Sequence, residues 1–220
     1  MEEEKAGVII EDALIVYKEE DTNLTVLKTS LFFTGDGFAA YDCKGEMVFR
    51  VDTYNPDSRD QVELVLMDAS GKSLLSIRRK RPSLHQRWEG YLGEIMEGQK
   101  PIFSVRRSSM IGSSTVTVEG YNNNAEEEYE IDGSFAQRSC KFLNADKESV
   151  AEIRRKVDAS CDNVMLDKDV FSLSVKPGFD GAFAMGLVLV LDQILADDCV
   201  KDDKVDDDDP IIADDPLLSS

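Results

Sequence analysis

Residues 78 to 107 hold the side chains best suited to ligand chemistry. Arg78, Arg79, Lys80, Arg81, Arg87, Lys100, Arg106 and Arg107 stand against Glu89, Glu94 and Glu97, a net of +5 in a chain of formal charge -19. Guanidinium forks grip phosphate oxygens at two points and lysine adds a mobile point charge, so the composition suits an anionic, phosphate-bearing ligand. Strand alternation sorts these cations. With Leu75 and Ile77 inward, Ser76, Arg78 and Lys80 face out; with Phe103 and Val105 inward, so do Ser104 and Arg106. Arg87 and Tyr91 share one face of the intervening strand, with Glu89 beside them to neutralise part of the charge. The candidate anion-binding set is Arg78, Lys80, Arg81, Arg87, Arg106 and Arg107. The ordinary alternatives are a solvated strand face paired to nearby carboxylates, and a contact surface for a protein partner.

Other chemistry has little to stand on. His85 is the only histidine, and without a placed nucleophile or a Gly-x-Ser-x-Gly turn it reads as a structural partner of Trp88 at a hairpin. No catalytic residue is assigned, and the chain reads as non-enzymatic. Cys43, Cys140, Cys161 and Cys199 lie far apart with no CxxC pair, which does not describe a zinc site. Asp202 to Asp209 lack the glycine and closing glutamate of a calcium loop, and Gly35-Asp36-Gly37 is a turn with no helix behind it to cradle phosphate. No metal and no cofactor is expected.

The elements that must position the basic residues are mostly strands. Twelve candidates run near Leu24–Lys28, Gly37–Asp42, Met47–Asp52, Val62–Asp68, Leu74–Arg79, Arg87–Leu92, Ile102–Arg107, Thr115–Gly120, Glu128–Asp132, Cys140–Leu143, Val150–Val157 and Val170–Val175. Turn residues punctuate them, among them Cys43-Lys44-Gly45, Ala69-Ser70-Gly71-Lys72 and Tyr121 to Asn124. Ala151 to Val157 fits helical turns equally well. The stretch FDGAFAMGLVLVLDQIL, residues 179 to 195, is different in kind. Its eleven uncharged residues between Asp180 and Asp192 would span roughly 17 Å as a helix, against about 30 Å of bilayer core. Aspartates on both flanks argue further against a transmembrane span. A helix apolar all round must be enclosed, and Asp180 is placed to cap it; a parallel-sheet strand over Leu187 to Leu191 is the weaker alternative, which periodicity alone does not exclude.

Several segments taken together resemble the plant LURP-one-related family: GDGFAAYDCKGEMVFRVDTY at 35–54, LLSIRRKRPSLHQRWEGYLGE at 74–94, PIFSVRRSS at 101–109 and the terminal apolar helix. The resemblance implies a mainly β, tubby-like fold, an antiparallel barrel of about twelve strands closed around a central hydrophobic C-terminal helix. The tubby C-terminal-like and phospholipid scramblase-like superfamily includes domains that bind phosphoinositide head groups, and its plant members are associated with defence against pathogens. On this basis the chain divides into an acidic segment at 1–21 of net -6, a barrel domain at 22–196 with its helix near 180–195, and an acidic disordered tail at 197–220 of net -8.

Two functions follow as expectations. The first is a binding module for anionic phospholipid head groups at a membrane surface; the second is a protein-interaction or regulatory scaffold in plant defence with no lipid ligand. Scramblase activity has no span to support it. Nucleic acid is an unsuitable partner for so acidic a chain. A monomer is expected, and the absence of a basic region followed by an apolar stretch at the start predicts an intracellular protein with reduced thiols, in the cytoplasm, at a membrane surface or in the nucleus.

Overall fold

The computed structural model describes residues 20–28, 37–54, 63–80, 87–110, 113–122, 125–158 and 164–202. The strands in chain order are β1 (Thr22–Lys28), β2 (Phe38–Tyr41), β3 (Met47–Tyr54), β4 (Glu63–Asp68), β5 (Ser73–Arg79), β6 (Arg87–Leu92) and β7 (Phe103–Met110). They continue as β8 (Ser113–Asn122), β9 (Ala125–Ser134), β10 (Ser139–Leu143), β11 (Ser149–Arg155), β12 (Val157–Asp158), β13 (Val164–Met165) and β14 (Val170–Val175), and α1 (Gly181–Asp202) ends the order.

Twelve of these strands close into an antiparallel barrel in the order β1-β14-β11-β10-β9-β8-β7-β6-β5-β4-β3-β2, and β12 and β13 form a separate two-stranded ribbon. Apart from that ribbon each strand lies beside its neighbours in the chain, and β1 closes the circle against β14 in the register Thr22↔Val175 to Leu27↔Val170. All twelve segments expected as strands are strands of this barrel, including the ambiguous one, which is β11. Local turn chemistry explains why the segmentation is so regular. Asp42 Oδ1 accepts the N–H groups of Lys44 and Glu46, and Asp68 Oδ1 accepts those of Ser70 and Lys72, so two hairpins carry the same side-chain-built turn.

An up-and-down barrel sends alternate turns to opposite mouths. The turns 42–46, 69–72 and 144–148 share one mouth with residues 176–180, where β14 ends and the chain turns back through the barrel as α1. At the other mouth lie the β9–β10 turn and the C-terminal end of α1. Asp180 caps the helix as expected, its Oδ1 accepting the N–H of Phe183 at 2.7 Å.

The helix is enclosed on every side. Phe183, Met185, Leu187, Val188, Leu189 and Val190 are each at most 1% exposed. Its ring contacts include Phe103 of β7, 5.0 Å from Phe183, and Tyr129 of β9, 5.7 Å from it. Close approach explains two glycines. A Cβ at Gly90 would lie 2.0 Å from the Phe103 ring, and one at Gly186 would meet Leu75 Cδ1 at 3.2 Å, so the wall and the helix both thin where they press together. Among the described residues, no helix is long and apolar enough to cross a membrane.

One boundary differs from expectation. The helix continues to Asp202 instead of ending near Leu195, so residues 197–202 belong to it rather than to a disordered tail. The physical reason lies in the barrel wall: Arg79 reaches Asp197 at 3.1 Å and Arg107 pairs with Asp198. Acidic side chains at a helix C-terminus oppose the macrodipole. Here cations from the rim neutralise them.

Candidate functional site

The candidate cations lie on β5, β6 and β7, and the register shows how they meet. Across the outer face, Arg78, Glu89, Ser104 and Glu119 form one row, each opposite the next on β5, β6, β7 and β8. Beside it runs a second row: Lys80 follows β5, its N–H bonded to the Arg87 carbonyl, and Arg87 pairs with Arg106, which pairs with Thr117. The first row runs on to Glu63 on β4 and Glu128 on β9, so a row rich in carboxylates lies beside a row of cations.

The two rows lean together. Lys80 Nζ is 2.7 Å from Glu89, and Arg87 stands 3.9 Å from Glu89 and 3.8 Å from Glu119. Arg106 pairs with Glu119. Two tyrosines complete the lattice: Arg78 donates to Tyr91 Oη at 3.0 Å, Tyr91 donates to Glu89 at 2.9 Å, Arg87 donates to Tyr121 Oη at 3.3 Å and Tyr121 donates to Glu119 at 2.8 Å. Arg78 also lies over the Tyr91 ring, 4.8 Å from its centroid. Burial pushes the Glu89 carboxyl up, but the bonds from Lys80 and Tyr91 and the charges of Lys80 and Arg87 outweigh it and hold it below its usual value. Burial and the same glutamate push the Tyr91 hydroxyl up.

Alternation splits the basic run. Arg78, Lys80, Arg87 and Arg106 gather on the outer face as expected, beside Glu89 and Glu119; Glu63 of β4 stands opposite Arg78 and Glu128 of β9 opposite Glu119, so four cations meet four carboxylates. Arg107 does not join them. It sits one residue past Arg106, on the inward side with Val105, and pairs with Asp198 of α1; Arg79 does the same beside Ile77. Arg81 and His85 lie outside the described residues. The partners Glu119 and Tyr121 were absent from the sequence reading, because they come from β8 and only register brings them in.

Lys80 and Arg106 keep about half of their side-chain surface, at 48% and 47%. Ser104 Oγ and Arg87 Nε are buried without a hydrogen-bond partner among the described residues. The exposed cation row has the chemistry to suit an anion, and among the described residues the arrangement holds no nucleophile-and-base pair. Among the described residues no group of His, Cys, Asp and Glu is placed to hold a metal ion. Cys140 is an inward-facing thiol that burial pushes up to about 12, so it is not a reactive thiolate.

Comparison with known proteins gives a consistent picture. The family described as LURP-one-related matches residues 22–192. The chain is 66% identical to protein LURP-one-related 12 of Arabidopsis thaliana over 88% of its own length and 86% of that protein's. It is 63% identical to LURP-one-related 5 of the same plant over 90% and 93%, and 44% identical to LURP-one-related 8 over 78% and 86%. The X-ray structure of a protein from Arabidopsis thaliana matches the fold with a TM-score of 0.58 at 23% identity, covering 80% of this chain and 93% of that one.

Proposed function

The chain belongs to the LURP-one-related family, and from that premise we propose that it is a non-enzymatic binding module that recognises anionic phospholipid head groups, phosphoinositides among them, in the service of plant defence. The observation that carries this reading is the outer face of β5–β7. Arg78, Lys80, Arg87 and Arg106 form a cluster of four cations on a chain of charge -19, and Lys80 and Arg106 within it are about half exposed. Rows of cations on a rigid sheet suit phosphate oxygens on a flat surface. The acidic ends of the chain oppose a negatively charged membrane, and salt screens that opposition over about 8 Å.

Co-sedimentation with vesicles of phosphatidylcholine, with and without a phosphoinositide, tests the proposal. Each basic residue near an anionic surface contributes about 1 kcal/mol, so the triple change Arg78→Glu, Lys80→Glu, Arg106→Glu should weaken binding by roughly a hundredfold or more. Deleting residues 203–220 should strengthen it. Failure of the unaltered protein to bind any anionic vesicle at any ionic strength ends this reading.

A second reading, a protein-interaction scaffold without a lipid ligand, draws support from the pairing itself. Glu89 and Glu119 already compensate the cations, and a protein surface can exchange such pairs one for one. Under that reading the triple change leaves vesicle association unaltered because there is none to lose.

A further inference from the structure

The mouth of the barrel where α1 begins opens into a cleft of about 560 Å³, on another part of the molecule from the basic face. Its floor is aromatic. Tyr129 of β9 and Phe179 of the β14–α1 connection stack edge to face at 5.4 Å, and Phe183 supports Phe179 from below at the same distance. Its walls are carboxylates drawn from two separate places: Glu127 and Glu128 at the start of β9, Asp146 and Glu148 in the β10–β11 turn. Among the described residues the cation lining it is Lys176, whose ammonium Asp21 engages at 2.6 Å, while Lys147, paired with Glu130, stands near Glu128 without lining the cleft. Glu127 is occupied by the Tyr129 hydroxyl, which fixes the ring of the floor.

An aromatic floor beneath an acidic wall recognises a particular chemistry. A cation on an apolar stem places its alkyl part along the rings and its charge among the carboxylates, gaining ring–cation attraction and ion pairing together. A metal ion would use the carboxylates and leave the rings idle, and a neutral apolar ligand would leave the carboxylates facing it unsolvated. The volume accommodates one long basic side chain with part of its backbone.

We propose that this cleft binds a lysine or arginine side chain presented by a partner protein, with the charged head held by Glu128, Asp146 and Glu148 and the stem on Phe179 and Tyr129. The cleft adjoins the outer lattice only through Glu128, which stands opposite Glu119, and the peptide and vesicle assays read the two sites separately. A fluorescein-labelled peptide Gly-Gly-Arg-Gly-Lys-Gly-Gly, followed by anisotropy in 0.15 M salt at roughly a Debye length of 8 Å, reads the binding.

The triple change Glu128→Gln, Asp146→Asn, Glu148→Gln removes three charges with little change of shape and should weaken binding at least about tenfold, the effect of 1.4 kcal/mol. Changing Asp206, Asp207 and Asp208 to Asn removes as many charges elsewhere and should alter it by less than about twofold. Phe179→Leu keeps the apolar bulk but loses the ring, and should weaken binding severalfold. Unchanged far-ultraviolet circular dichroism and melting midpoints establish that each variant is folded. Equal losses from the cleft and the tail variants would reduce the effect to bulk charge and overturn the proposal. So would retained binding of a peptide with both basic residues replaced by glutamine, or full displacement of the peptide by an equal concentration of spermidine, which would assign the cleft to a small free amine.

Discussion

The arginines of β5 and β7 that face the barrel interior differ from those one residue away that face out. Arg79 and Arg107 reach inward to carboxylates of α1, where they neutralise the acidic end of a helix. Arg78 and Arg106 reach outward to a tyrosine and a glutamate of the sheet itself, and their own side chains stay exposed to water. The same residue type at adjacent positions therefore ties sheet to helix in one case and strand to neighbouring strand in the other. Strand alternation makes the assignment, and it sets how much each charge is worth. Interior charge is expensive to leave unpaired; exterior charge is cheap to lose.

The largest test of that contrast lies at the centre of α1. Leu189 is fully buried, and Leu189→Asp would place an unpaired charge amid the barrel core. The cost exceeds about 5 kcal/mol, enough to exhaust much of a domain's stability. The expected result is loss of the cooperative thermal transition by circular dichroism. A folded variant with a normal melt would show that the helix is not central.

Next in size is Arg138, which lies at the opposite mouth from the cleft. Its guanidinium is 4% exposed, sits 4.1 Å from the Phe135 ring centroid and 4.7 Å from that of Phe171, and donates to the Lys168 carbonyl at 2.7 Å. It stands 4.0 Å from Asp192, which is 3% exposed and also meets Lys28 at 3.0 Å. Breaking a buried pair typically costs about 3–5 kcal/mol, so Arg138→Ala should lower the unfolding free energy by that order in urea titration. Arg106→Ala on the outer face should cost about 0–1 kcal/mol. Equal losses would erase the distinction between the two sides.

These contrasts also mark what the sequence could reveal. Turn chemistry and apolar periodicity are local, so Asp42 to Gly45, Asp68 to Gly71 and the uncharged run from Gly181 to Leu191 suffice to place strands and helix. The two-residue strands β12 and β13 leave no periodic pattern to read. Partners set by register are equally hidden: Glu119 lies 30 positions from Glu89, and Ser104 between them is what brings both into one row. Arg107 was legible in principle, since it follows an inward Val105 by two positions. Its partner was not, because an aspartate-rich segment looks solvated until the rim arginines are in view. The cleft at the other mouth assembles residues from β9, a hairpin turn and the approach to α1, a combination that no local pattern encodes.

The smallest effect concerns two carboxylates, one on each side of the wall, whose pH dependences run in opposite directions. Burial raises Glu89, but Lys80, Tyr91 and Arg87 prevail and its carboxyl is held below the usual range. Its stabilising contribution is then fully present above the unfolded-state value and is lost as pH falls through the folded-state value. Asp180, at the head of α1, is instead raised: burial dominates over the N–H groups of Phe183 and Ala182. Its favourable contribution exists below the unfolded-state value and disappears as pH rises through the folded-state one. Glu89→Gln should therefore be less stable than the unaltered protein near neutrality and converge on it in acid. Asp180→Asn, in which the amide can still cap the helix, should be the more stable near neutrality and also converge in acid. Melting midpoints between roughly pH 3 and 7 read both differences, each about 1 kcal/mol or less for groups of this kind. Differences of the same sign at neutral pH would mean that enclosure by the barrel does not distinguish the helix cap from the outer lattice.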